Sequence, residues 1–211
     1  MYFTKHKVIS IYIIVINLCN MSKFYNIIEF ISVLKNIPRI GWVQRGVPIA
    51  LCESVAEHIF EVSSISLMFS QRLINSGVQI DVSKVLSMSI VHDWAEAATG
   101  DIPKSLGKYF PSNIKENIEM MILSDMLKDE ADALKRFFAE YLEKSSIEAR
   151  VVKLADYLST ILQGYRYMLA GYNVSDIVNN SISEALKIVE KGELSVLKPL
   201  IEELVNKFTP I

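Results

Sequence analysis

"SIVHDWAEAATGD", residues 89–101, is the stretch whose reading decides the fold. A histidine and an aspartate stand side by side in an apolar run, Glu96 follows one helical turn on, and Asp101 lies just past a glycine. Apolar residues recur at helical rather than alternating spacing, which predicts the end of a helix running from about 82 to 98. Gly100 predicts a left-handed stop, since a residue without Cβ reaches positive φ at no steric cost, and "DIPKS" leads the chain away. Positions three and four apart share a helix face, so Glu96 is expected on the side of His92 and Asp93 with Trp94 turned away.

Outward from this stretch the same period continues, and no alternating run bounded by turn residues stands out after residue 20. The expected class is all-α, a compact bundle of about seven or eight helices whose short connections favour antiparallel neighbours. A first helix spans 22–35 and stops before Pro38, because a residue preceding proline is pushed out of helical backbone. Residues 36–53, "NIPRIGWVQRGVPIALCE", hold two prolines and two glycines and form an irregular connection. "SVAE", 54–57, is a capping box that starts a helix reaching to about 75, with His58 in its first turn. Further helices are expected at about 112–127, 130–144, 146–170, 174–191 and 193–207, with no internal repeat.

At 211 residues and 51% hydrophobic, the chain can bury one substantial core, expected to be a single domain over 22–211. Its 22 basic and 24 acidic residues give a formal charge of -2, with no run of five like charges. That excludes a nucleic-acid surface as the main business of the chain. Two cysteines, Cys19 and Cys52, make no disulfide framework, so a reducing, cytoplasmic setting is the default. Residues 8–19, "VISIYIIVINLC", are apolar but too short for a bilayer, which takes about 20 residues. They offer no small-x-small cleavage site. Residues 1–21 are therefore read as an extension, with a start at Met21 as the favoured origin, and no membrane association is expected.

The chemistry lies in the His92–Asp93 pair. Imidazole nitrogen and carboxylate oxygen can reach one divalent cation, and a buried ionised aspartate is otherwise expensive. A core histidine bonded to its neighbour would explain the pair as well. Two further residues change the balance. His58 opens the second long helix, and Asp156 sits in "VVKLADYLSTILQG" (151–164), where an apolar stretch gives a carboxylate no obvious purpose. Each has a bland alternative, His58 as a first-turn surface residue and Asp156 as a partner of Lys153 or Arg150. Together they make H…HD…D, a mixed nitrogen and oxygen donor set suited to Mn, Co, Fe, Ni, Zn or Mg.

With "RIGWVQRGV" (39–47), "ESVAEH" (53–58), "VHDWAEAATGDIP" (91–103) and "EARVVKLADYLSTILQG" (148–164) in this order, residues 22–170 resemble the HD-domain phosphohydrolases, in their 5′-deoxynucleotidase branch. The resemblance implies His58, His92, Asp93 and Asp156 as metal ligands. It implies Glu96 and Asp101 as the groups working on the attacking water and the leaving group. Arg39, Arg45 and Trp42 would hold phosphate and sugar. HD enzymes with two or three metals recruit extra histidines, and here only His6 is left, which favours one divalent ion. The implied substrate is a deoxyribonucleoside 5′-monophosphate, the implied assembly a homodimer.

The residue types suit that reaction. A phosphomonoester dianion resists attack, so a hydrolase needs a cation, a positioned water and a proton donor for the departing oxygen. The planar guanidinium fork donates two parallel hydrogen bonds to phosphate, and the Trp42 indole could stack on a sugar or base, or only anchor its loop. Glu96 and Asp101 are not assigned separate roles by spacing. Lys104 and Lys108 could assist with phosphate. The alternatives are an HD phosphohydrolase acting on nucleoside triphosphates or a signalling nucleotide, and a non-catalytic nucleotide-sensing module.

Overall fold

The computed structural model describes residues 23–103, 109, 111, 113–127 and 131–208. The expectations for His6, the apolar stretch 8–19, Cys19, the Met21 start, and Lys104 and Lys108 fall outside these residues. Among the described residues the helices are α1 (Lys23–Ser32), α2 (Ile40–Val43), α3 (Val55–Asn75), α4 (Val82–Val91), α5 (Glu96–Thr99), α6 (Ile114–Leu127), α7 (Asp132–Glu143), α8 (Ile147–Leu169), α9 (Ser175–Val189) and α10 (Lys198–Phe208). Apart from the single turns α2 and α5, eight helices of ten residues or more make the expected all-α bundle. No helix among these residues is long and apolar enough to cross a membrane.

The long helices start where side chains replace missing backbone partners. The Ser54 hydroxyl accepts from the Glu57 amide at 3.2 Å and Glu57 accepts from the Ser54 amide at 2.7 Å, completing the capping box of α3. Asp81 caps α4 by accepting from Lys84 N–H, and Ser146 caps α8 by accepting from Ala149 N–H. α8 is the central element, packed against α3, α4, α7 and α9, with Val151, Leu154, Ala155 and Ile161 fully buried. A Cβ at Gly164 would collide with Val178 of α9 and meet the Trp42 ring at 3.2 Å. Glycine in a helix interior costs about 0.5–1 kcal/mol, and here the close approach of α9 and Trp42 offsets it.

Three helix boundaries differ from expectation. The helix expected over 82–98 stops at Val91, and 92–95 form tight turns before α5. Amide-to-carbonyl bonds there run three residues back, Trp94 to Val91, Glu96 to Asp93 and Ala97 to Trp94. Three residues per turn align positions i and i+3, which puts Glu96 and Asp93 on one side of the turn. Gly100 has the expected positive φ of 70°, but its ψ of 169° is extended, not left-handed helical. The first helix ends at Ser32 and tightens into a 3₁₀ turn, Val33–Asn36, before extended Ile37. Residues Glu193–Leu197 are also a 3₁₀ turn, because Pro199 lacks the N–H an α-helix through it would need.

The irregular 36–53 segment is held by its ends. Pro38 and Ser54 form an isolated bridge, with Arg39 N–H donating to Glu53 O at 3.0 Å and Val55 N–H to Ile37 O at 2.9 Å. Tyr167 of α8 adds two bonds, its hydroxyl accepting from Glu53 N–H and donating to Leu51 O.

Candidate metal centre

His58 and His92 face each other from α3 and the end of α4, ring centroids 5.5 Å apart. His58 is 0% exposed and His92 3%, so the surface reading of His58 is wrong. Asp93 Oδ2 lies 3.2 Å from His92 Nε2 and 3.8 Å from His58 Nε2, and Asp156 Oδ1 lies 3.2 Å from His58 Nε2. One donor atom each from His58, His92 and Asp93 falls within 4.8 Å of the others. Neighbouring ligands of one ion bound at about 2.1 Å sit about 3.0–3.4 Å apart, a range the two 3.2 Å contacts meet and the 3.8 Å His58–Asp93 gap exceeds. Both Nε2 atoms are buried with no hydrogen-bond partner, an expensive state that a coordinated ion relieves. His92 Nδ1 bonds the Ser89 carbonyl at 2.8 Å, and a carbonyl only accepts. Nδ1 therefore carries a proton, and in the neutral ring the Nε2 lone pair faces the cluster.

The electrostatics separate the two imidazoles, favouring a neutral His58 and a more readily protonated His92. Burial, then the Arg39 charge, pushes His58 down to about 4, which keeps it neutral. Burial also acts against a charged His92, but Asp93 beside it more than compensates. Burial opposes ionisation of Asp93, yet His92 and then His58 hold it well below the usual carboxylate range. Asp156 does pair with Lys153, as its bland alternative had it, through Oδ2 at 2.9 Å, while Oδ1 lies 3.2 Å from His58 Nε2.

Eight of the nine residues singled out from sequence line one cavity of about 640 Å³, and His58 lies behind its wall. Glu96 is 5% exposed, not a solvated helix residue, and burial followed by the charges of Asp93 and Asp101 raises its pKa far above the usual range. Asp101 enters from the loop after Gly100. Arg39 is buried at this wall with Nη1 unpartnered. Burial opposes its charge, but Glu53, then Asp156, Asp93 and Asp101, hold it protonated. Trp42 is 2% exposed and donates Nε1–H to Glu53 at 2.8 Å, so its indole anchors the segment while forming part of the cavity wall. Arg45 sits at the rim, donating to Asp176 of α9 at 2.6 Å.

The structure adds lining residues that sequence reasoning did not assign. Lys115 pairs with Glu119 at 3.3 Å along α6, and Lys153 reaches the Tyr141 hydroxyl at 3.2 Å. The Lys115–Glu119 spacing of four was a visible signal, but such pairs are common on solvated helix faces.

The chain matches the family model described as HD domain over residues 31–192. It is 27% identical to 5′-deoxynucleotidase HDDC2 of Danio rerio over 87% of this chain and 88% of that protein. The Bos taurus protein of that name is 30% identical over 67% and 68% respectively. Among solved structures, a conserved hypothetical protein from Pyrococcus furiosus superimposes with a TM-score of 0.76, at 38% identity over 86% of this chain and 99% of that one.

Proposed function

The chain belongs to the HD-domain family, and from that premise we propose that it is a metal-dependent 5′-deoxynucleotidase, hydrolysing deoxyribonucleoside 5′-monophosphates to deoxynucleoside and phosphate. One observation carries the reading. Two buried imidazoles present unpartnered Nε2 atoms beside Asp93 and Asp156, on a cavity that also holds an unpartnered Arg39 N–H. A divalent ion held by His58, His92, Asp93 and Asp156 would supply positive charge to phosphate oxygens and acidify a water.

The remaining steps belong to the side chains. Arg39 donates to a phosphate oxygen from a site where the bond is little screened, and its fixed charge binds the dianion. Burial, then the charges of Asp93 and Asp101, raises the pKa of Glu96 well above the ordinary carboxylate range, which makes it a stronger base toward the proton of the attacking water. Asp101, on the loop at the same cavity, is placed to attend the leaving 5′-oxygen. Trp42 and Arg45 shape the sugar end.

The finer reading is one metal ion per chain, a single catalytic domain over 22–211, a homodimer, and a cytoplasmic setting. Three histidines in the whole chain support the single ion. Phe60, Leu67 and Met68, 75%, 45% and 68% exposed along α3, support self-association. The test is phosphate release from deoxy- and ribonucleoside monophosphates and from triphosphates, with the bound metal measured before and after chelation. Turnover of the deoxy monophosphates, lost on chelation and regained on metal return, is expected. Turnover of triphosphates without dAMP, or activity indifferent to chelator, would refute the reading.

A further inference from the structure

The two imidazoles are held by different means. His92 is fixed by a backbone carbonyl, an acceptor that substitution of side chains cannot remove. His58 Nδ1 lies 3.1 Å from Ser159 Oγ of α8, and a hydroxyl can donate or accept, so this contact alone leaves the ring's proton on either nitrogen. The next link resolves it. Ser159 Oγ donates to Glu61 Oε2 at 2.8 Å, and Glu61 Oε1 receives Arg166 Nη1 at 3.0 Å. A carboxylate paired with a guanidinium only accepts, so the hydroxyl proton points to Glu61. Ser159 Oγ must then accept from His58, which places the proton of the neutral ring on Nδ1 and leaves the Nε2 lone pair facing Asp156 Oδ1 at 3.2 Å, a contact between two acceptors that a cation would relieve.

We propose that Glu61 and Ser159 are positioning residues that lock His58 in the Nδ1–H tautomer, so that its Nε2 faces the metal site ready to coordinate. Their place in the fold suits the task. Glu61 is one turn beyond His58 on α3 and Ser159 is one turn beyond Asp156 on α8, so the chain of bonds also clamps together the two helices that carry these ligands. Arg166, more exposed, keeps Glu61 an acceptor. Neither residue lines the cavity, so neither is a catalytic residue. The effect on metal is of the outer-partner kind, for which loss of the partner lowers affinity about 10–100-fold.

The inference rests on the metal-site reading, and two measurements on the full chain separate them. Long-range ¹H–¹⁵N spectra of metal-free protein report the tautomer, with three histidines to assign. Wild type is expected to show His58 protonated on Nδ1. Glu61→Gln is expected to populate the other tautomer, since an amide N–H can donate to Ser159 and turn its hydroxyl toward His58. Mn²⁺ titration, by competition with a chromophoric chelator, is expected to show binding weakened at least about tenfold in Ser159→Ala and less in Glu61→Gln, with metal-free Tm close to wild type. Should wild-type His58 carry its proton on Nε2, or should both variants bind Mn²⁺ as tightly as wild type, the lock does not exist. A wild type that shows the Nδ1–H tautomer but takes up no Mn²⁺ upholds the lock and overturns the metal site.

Discussion

Two walls of the cavity reach similar order by different devices. The inner wall is built from capped helices, α3, α4 and α8, with His58 and Asp156 placed by helix register and His92 and Asp93 in the turns just past α4. The outer wall, residues 36–54, has one single-turn α-helix and one 3₁₀ turn. It is tied down by the Pro38–Ser54 bridge, the Trp42–Glu53 bond and the two bonds of Tyr167. Helix packing spreads its support over many apolar contacts, whereas a loop so tied concentrates it in a few polar ones. Damage to the inner wall should therefore register as lost coordination, and damage to the outer wall as lost closure or weakened substrate binding.

The largest effect is expected from Asp93→Asn. This carboxylate lies within 4 Å of both histidine Nε2 atoms, and the amide that replaces it is a neutral, poor ligand. Loss of an outer partner alone lowers affinity about 10–100-fold, so loss of a direct ligand should exceed a hundredfold, with activity at limiting metal falling in step. Metal titration and a rate series over metal concentration test this. Unchanged affinity would mean that the inner wall is only a polar core.

Closure of the outer wall has its own probe in Cys52, whose thiol donates to Arg39 O. Burial, then the neighbouring Glu53 charge, pushes its pKa up to about 11 from about 9. A raised pKa keeps the unreactive thiol form to higher pH, so at pH 8 the thiolate is roughly a hundredfold scarcer than in a free cysteine. Iodoacetamide labelling of Cys52, followed by peptide mapping, should be slow at pH 8 and accelerate through pH 9–11. Labelling at the free-thiol rate would mean that the segment opens readily, and the likeness between the two walls would fail.

The inner wall was legible because its devices are periodic or local. The capping box, the eight long helices, and the convergence of His58, His92, Asp93 and Asp156 were all suggested by spacing and residue type, the ligand role coming from the family resemblance. The tight turns after Val91 were not legible, since "VHDWAEA" fits a continuing helix by every local preference. Only the structure shows the three-residue backbone bonding through Asp93 and Glu96. Trp42 was left between stacking and anchoring because the choice depends on Glu53 and Tyr167, one of them 125 residues away in sequence. Glu61 escaped notice for a related reason. On α3 alone it reads as a solvated charge, and its purpose appears only when α8 brings Ser159 and Arg166 alongside.

The smallest effects distinguish the two arginines of the outer wall. Arg39 is buried with an N–H unpartnered, and a charge-assisted bond from such a site is worth about 1.5–3 kcal/mol, so Arg39→Lys, which loses the planar fork, should lower kcat/KM roughly 10–100-fold. Arg45 is more exposed and already paired with Asp176, and exposed pairs of this kind contribute about 0–1 kcal/mol. Arg45→Ala should therefore change KM no more than about fivefold and leave kcat alone. A loss equal to that of Arg39→Lys would mean that Arg45 leaves Asp176 when substrate arrives and binds phosphate itself. The outer wall would then hold its substrate by rearranging, where the inner wall would hold an ion by being fixed.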